Sequence, residues 1–161
     1  MEAEKVYQKL KDLSLPYELI EHEPVLTVEE MEAALPETDA QICKNLFLRD
    51  QKGKQHFLVV MGKEKTFNLK DFQTKQGLGK LSFGSERRLK KYLGVPSGSV
   101  SPFGLLNDEN GHVIVYMDKA IKESEKIGVH PNSNDATVIL NISDFEKYLD
   151  SLDNDVYWIE V

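Results

Sequence analysis

The stretch Ile42-Cys43-Lys44-Asn45-Leu46-Phe47-Leu48-Arg49-Asp50, running on into Gln51-Lys52-Gly53, decides how this chain is read. Its alternation and β-branched and aromatic content predict a half-buried strand closed by a polar turn. A second apolar run, Gln55 to Met61, follows at once, so a hairpin across Gly53 is expected. Alternate residues of a strand share a face. Ile42, Lys44, Leu46 and Leu48 therefore stand on one side, with Cys43, Asn45 and Phe47 on the other. An ammonium in a row of aliphatics is costly to desolvate without a partner. Two readings stand at this point: a strand-end lysine whose stem packs while its head reaches water, or a lysine aimed into a pocket to hold an anion or a polarised carbonyl.

Working outward, Val6, Leu10 and Leu13 have helical spacing over Ala3 to Leu13, and Tyr17 to His22 reads as a short strand. Thr27 with Glu30 forms a capping-box signature for a helix to about Leu35. Thr66 to Asn68 is expected to be extended, Leu69 to Gln76 a short helix and Leu81 to Phe83 a brief strand. Ser85 caps Glu86 to Leu93, which Gly94 and Pro96 end. Strands are expected at Val113 to Met117, Lys126 to Val129, Thr137 to Asn141 and Val156 to Glu160, with Ser143 capping a last helix through Leu149. Strands and helices are mixed without a regular βαβ repeat. The expectation is one α/β domain over residues 1–161, built on a mixed, curved sheet flanked by helices.

With 161 residues, 40% of them apolar and 29% charged, the chain suits one globular core. No apolar run approaches the ~20 residues of a membrane span. The start, Met1-Glu2-Ala3-Glu4-Lys5, lacks the basic and apolar regions of a signal peptide, so cytoplasm is the expected location. One cysteine allows no internal disulfide, and with four scattered histidines it gives no cysteine-rich metal site. The formal charge of −7 argues at first against nucleic acid, but its distribution does not. Between Lys63 and Lys91 nine basic residues face three acidic ones, leaving −13 on the remainder. Such asymmetry fits a surface that meets phosphate in one place, with Lys63, Lys65, Arg87, Arg88, Lys90 and Lys91 as the candidate contacts. A solvated helix face with ordinary lysines explains the same residues.

The segment Gly98-Ser99-Val100-Ser101-Pro102 offers a turn in which glycine permits close approach and the serines add hydroxyl donors. Consecutive backbone amides in such a turn can hold an anionic oxygen, as ester hydrolysis requires; a plain surface loop is the alternative. Together the lysine strand, Gly98 to Leu105 and Val129-His130-Pro131-Asn132 resemble the YbaK/ProX family of free-standing aminoacyl-tRNA editing domains, relatives of the insertion domain of bacterial prolyl-tRNA synthetases. The resemblance spans essentially the whole chain. Ser99 to Asp108 looks most like the branch that hydrolyses alanyl-tRNA(Pro).

The resemblance implies a partly barrel-like sheet and an aminoacyl-tRNA deacylase without metal or organic cofactor. It matches Gly98 and Pro102 to the family's active-site Gly-x-x-x-Pro loop, carrying Ser99 and Ser101, and Lys44 to its essential lysine. It implies that Lys44 anchors the terminal adenosine phosphate or the aminoacyl carbonyl, and that the substrate's own 2′-hydroxyl helps position the attacking water. His130 falls at a position used near the aminoacyl group, and Ile20, Leu26 and Met31 at a small side-chain pocket. His22, His56 and His112 lie in no motif and are expected at the surface. Cys43, on the opposite strand face from Lys44, is expected to be a buried structural thiol. The implied partner is the acceptor end of mischarged tRNA(Pro), with prolyl-tRNA synthetase or an elongation factor as delivery partners and no membrane. The alternatives are a Cys- or Ser-tRNA(Pro) deacylase and a non-catalytic aminoacyl-tRNA-binding module acting with a synthetase.

Overall fold

A computed structural model describes residues 2–34 and 38–161, without the side chains of Val28, Met31 and Glu32. The expected end of the second helix near Leu35 and Pro36 lies outside the described residues. The sheet is organised by β2, Gln41–Asp50. It pairs antiparallel with β3, His56–Gly62, from Cys43 opposite Gly62 to Arg49 opposite His56. In the turn between them Asp50 Oδ1 accepts from Lys54 N–H at 2.8 Å, and Gly53 takes a left-handed φ of 68° that favours glycine.

The other edge of β2 is shared by two strands. Gln41 and Ile42 pair parallel with Ile127 and Gly128 of β6, Lys126–Val129. Leu48 to Asp50 pair antiparallel with β4, Leu81–Phe83. Between the two pairings the sheet splits, and Lys44 lies in the split. With β1 (Glu18–Glu21), β5 (Ile114–Asp118), β7 (Ala136–Asn141) and β8 (Val156–Ile159), the order is β1-β7-β6-β2-β3-β5-β8. Parallel pairings β2–β6, β3–β5 and β5–β8 make it mixed, as expected.

Strand alternation decides what covers each face. One face sends Cys43, Phe47, Leu58, Val60, Val129 and Val138 into the main core, against α1 (Glu2–Asp12), α4 (Glu86–Leu93) and α5 (Ile142–Asp150). The other sends Leu48, Val59, Met61 and Tyr116 into a smaller core under α3, Leu69–Lys75, through Phe72. β2 is thus buried on both faces near its ends, not half-buried as its alternation suggested. The part of the second face nearer β6, β7 and β1 lies outside both cores.

Local signals behave largely as read. Thr27 Oγ1 accepts from Glu30 N–H at 3.1 Å, opening α2, Val28–Ala34, while the Glu30 carboxylate reaches back to Leu26 N–H. Ser85 caps α4, and Gly94 closes it at φ 70°. Ser143 does not cap α5: β7 runs straight into the helix, whose first residue, Ile142, donates its N–H to Glu125 O. His56 is a larger departure, being fully buried instead of exposed. Arg88 Nη1 donates to its Nε2 at 3.0 Å, so the neutral ring carries its proton on Nδ1 and gives it to His112 Nε2 at 2.9 Å. Burial first, then the nearby His112 and Arg88 charges, pull the His56 pKa down to about 4. Among the described residues no helix is long and apolar enough to cross a membrane.

Candidate active site

The pairing registers place the candidate residues on one face. Ile42 stands beside Gly128, Gly128 beside Ile139, and Thr137 beside Ile20. Two residues further along each strand, on the same side, come Lys44 and His130. Lys44, His130, Thr137 and Ile20 therefore form a row across β2, the end of β6, β7 and β1, on the face that the main core does not occupy. In the neighbouring row Gly128 makes room for the Ile42 side chain, since a Cβ there would stand 2.8 Å from Ile42 Cδ1.

The glycine loop is fastened to the end of this row. It forms a short 3₁₀ turn, Ser97–Ser99, followed by a longer one, Pro102–Asn107. Ser101 is fully buried; its hydroxyl donates to His130 O at 2.6 Å and accepts from Phe103 N–H at 3.1 Å. Pro102 is buried, and its carbonyl accepts from Tyr148 Oη at 2.8 Å. The Ser101 hydroxyl is therefore not the free donor expected from sequence: it ties loop to strand, and Pro102 anchors the same joint. Ser99 is buried with its N–H given to Pro96 O, whereas none of the hydrogen bonds among the described residues uses the N–H of Gly98 or Val100.

A Cβ on Gly98 would lie 3.3 Å from Leu26 Cδ2 and 3.8 Å from Asn134 Nδ2. The loop thus meets Leu26 in the segment after β1, and that side chain is 76% exposed. Ile20 is half-buried, and the Met31 side chain lies outside the described residues. Two neighbours carried no signal in their immediate sequence. Asn134 presents its carboxamide to Gly98 while its carbonyl holds Val25 N–H at 2.9 Å. His22 is not a free surface ring: Nε2 meets Thr137 Oγ1 and Nδ1 meets Glu23 O, both at 2.9 Å. Its position two residues after Ile20 in the predicted strand Tyr17 to His22 was the available clue.

His130 Nδ1 lies 3.2 Å from Ala136 O and must donate to it, leaving Nε2 as an acceptor. Burial, with His22 adding to it, holds its pKa below the usual histidine range against the opposing pull of that bond. Lys44 donates from Nζ to Lys65 O, its one partner among the described residues, which leaves two of its three N–H donors for a ligand. Cys43 faces the main core, where burial, reinforced by Glu64 and Asp118, pushes its thiol up to about 12. A thiol held that firmly protonated is no nucleophile. Cys43→Ser is therefore expected to keep deacylation within about threefold and to cost at most ~2 kcal/mol of stability, for a buried hydroxyl near Gln41 O. A rate loss of several orders of magnitude in the folded variant would restore the cysteine as a nucleophile.

The basic candidates divide. Arg87, Lys90 and Lys91 are exposed and, at i, i+3 and i+4, share one side of α4. Arg87 and Lys91 line a recess of about 400 Å³ together with Gly53, Arg88 and Tyr92. The helix start joins the glycine loop through Ser97 Oγ, which donates to Glu86 Oε1 at 3.0 Å. Arg88 is instead pinned, donating to Gly53 O at 3.1 Å and to buried His56. Lys65 is likewise engaged, 2.7 Å from Asp118 Oδ2. Neither is the free phosphate contact expected from the charge run. Lys63 is half-buried, with its N–H on Ile42 O. His22 also lines a groove of about 610 Å³ that carries Glu2, Glu4, Glu21 and Asp135, a poor surface for phosphate.

Comparison with known proteins identifies the family and the fold. The sequence model of the aminoacyl-tRNA editing domain matches residues 22–148. The chain is 50% identical over 156 residues to the prolyl-tRNA editing protein ProX of Acetoanaerobium sticklandii, covering 97% of this chain and 95% of that one. It is 34% identical over 152 residues to prolyl-tRNA synthetase associated domain-containing protein 1 of Bos taurus, covering 92% and 88%. In fold it matches the crystal structure of a candidate trans-editing enzyme for prolyl tRNA synthetase with a TM-score of 0.73, at 18% identity over 99% of this chain and 97% of that one.

Proposed function

The chain belongs to the aminoacyl-tRNA editing domain family, and from that premise we propose that it is a trans-editing hydrolase that releases alanine from mischarged tRNA(Pro). The observation that carries this reading is the placement of Lys44: in the split of the sheet, on the face of His130, with two ammonium donors unclaimed by the described residues. The whole chain, residues 1–161, acts as one editing domain.

In the proposed reaction the aminoacyl ester of the terminal adenosine lies between Lys44 and the Gly98 loop. Water attacks the ester carbonyl, a tetrahedral oxyanion forms, and the ribose oxygen leaves to regenerate uncharged tRNA. The Lys44 ammonium and the uncommitted N–H groups of Gly98 and Val100 suit the charge that develops on the carbonyl oxygen. The 2′-hydroxyl of the substrate positions the water, so the protein has to supply placement more than a base. Neutral His130 has an acceptor to offer the amino group or the ribose.

Alanine follows from a size problem. A synthetic site shaped for proline discriminates against a smaller side chain by only ~1–3 kcal/mol per missing methylene. A second site, narrowed by Ile20 and by Leu26 over Gly98, admits alanine and excludes proline. The reading is tested by a panel of Ala-, Cys-, Ser- and Pro-tRNA(Pro), with release of alanine expected to be fastest. Fastest release of cysteine or serine would move the assignment to those substrates, and binding without release of any would make the chain a carrier module.

A further inference from the structure

Asp118 ends β5 almost fully buried, at 1% exposure. A carboxylate so placed is costly unless paired. Its Oδ2 lies 2.7 Å from Lys65 Nζ, and its Oδ1 accepts from Ala120 N–H at 3.2 Å. Lys65 belongs to the turn that leaves β3, and its backbone carbonyl is the atom that receives the Lys44 ammonium. The same turn is fastened to β2 by Lys63 N–H on Ile42 O at 3.0 Å and by Gln41 Nε2 on Glu64 Oε2 at 3.2 Å. Those two bonds fix where the turn begins. The ion pair with Asp118 fixes where residue 65 sits, from the opposite side of β3.

We propose that Asp118 is a positioning residue for Lys44, acting through the side chain and carbonyl of Lys65; this rests on the reading of Lys44 as a substrate-binding group. A lysine side chain has four rotatable bonds, and in the split of the sheet no strand neighbour restrains it on the β6 side. Lys65 O supplies the missing restraint. It takes one N–H and leaves the other two pointing in fixed directions. Asp118 is therefore matched to the site although it touches no substrate, and Lys65 works as a brace instead of a phosphate contact.

The test measures binding of a non-hydrolysable alanyl-amide analogue of the 3′-adenosine end by titration. The proteins are wild type, Lys44→Ala, Asp118→Asn and the double variant. Asp118→Asn is expected to weaken binding about tenfold, and to add less than about twofold once Lys44 is already alanine, because residues acting as one unit are not additive. Should Asp118→Asn fail to fold, the apolar pair Lys65→Met with Asp118→Leu removes the buried carboxylate and its partner together and is expected to show the same loss. Wild-type affinity in a folded Asp118 variant, or an equal loss in the Lys44→Ala background, would overturn the positioning role alone. A Lys44→Ala protein that binds as wild type would overturn the reading of Lys44 and the positioning role with it.

Discussion

Lys44→Ala is expected to slow release of alanine from Ala-tRNA(Pro) by about 10²–10³-fold, the range for removing one donor to a developing oxyanion. The fold should survive, because Lys44 is half-buried and its one partner among the described residues is a backbone carbonyl. Loss of such a bond costs ~1 kcal/mol, and the rest of β2 keeps its pairing with β3. Single-turnover rates and thermal unfolding separate the two effects. Near-wild-type turnover in a cooperatively folded variant would remove Lys44 from the chemistry.

Reversing Arg87, Lys90 and Lys91 together to Glu is expected to weaken binding of intact tRNA by at least about tenfold and to flatten its salt dependence. Each phosphate contact contributes a slope of about −0.7 to −0.9 in log affinity against log salt. Losing three should therefore lower the slope by about two to three units. Hydrolysis of a minimal alanyl-adenosine, which lacks the distant phosphates, should change little. Arg88 is left in place, because its guanidinium holds Gly53 O and His56 and its reversal would disturb the fold. Unchanged affinity and slope would make this side of α4 a merely solvated face and place the footprint elsewhere.

Much of the fold was legible because its signals are local. The alternation over Ile42 to Asp50, the Gly53 turn, the Ser85 cap and the Gly94 stop each act within a few residues, and each recurs in the structure. What covers a strand's second face is not local. The smaller core under α3 joins Phe72 to Leu48, Val59 and Tyr116, so β2 read as half-buried where it is covered twice. The same limit applies to charge. The run from Lys63 to Lys91 is visible in sequence, yet only packing shows that Arg88 and Lys65 are committed to His56 and Asp118 while Arg87, Lys90 and Lys91 stay exposed.

The site shows a similar division. Lys44, Gly98 and His130 stood out by motif, and strand register alone explains why Lys44 and His130 share a face. Ser101 and Pro102 stood out too, but their polar atoms fasten the loop to His130 O and Tyr148 Oη. A motif marks that a segment matters without separating the atoms that meet substrate from those that hold the loop in shape. His22 and Asn134 were missed for the converse reason. Their partners, Thr137 and Gly98, are distant in sequence and become neighbours only when β1 pairs with β7 and the loop closes over the sheet end.

The central claim meets its most direct test in parallel initial rates of amino-acid release from Ala-tRNA(Pro) and Pro-tRNA(Pro), with the purified chain and no synthetase present. Rapid release of alanine and none of proline above the spontaneous rate is the expected result. Equal rates for the two substrates, or no release of alanine beyond the spontaneous rate, would contradict it.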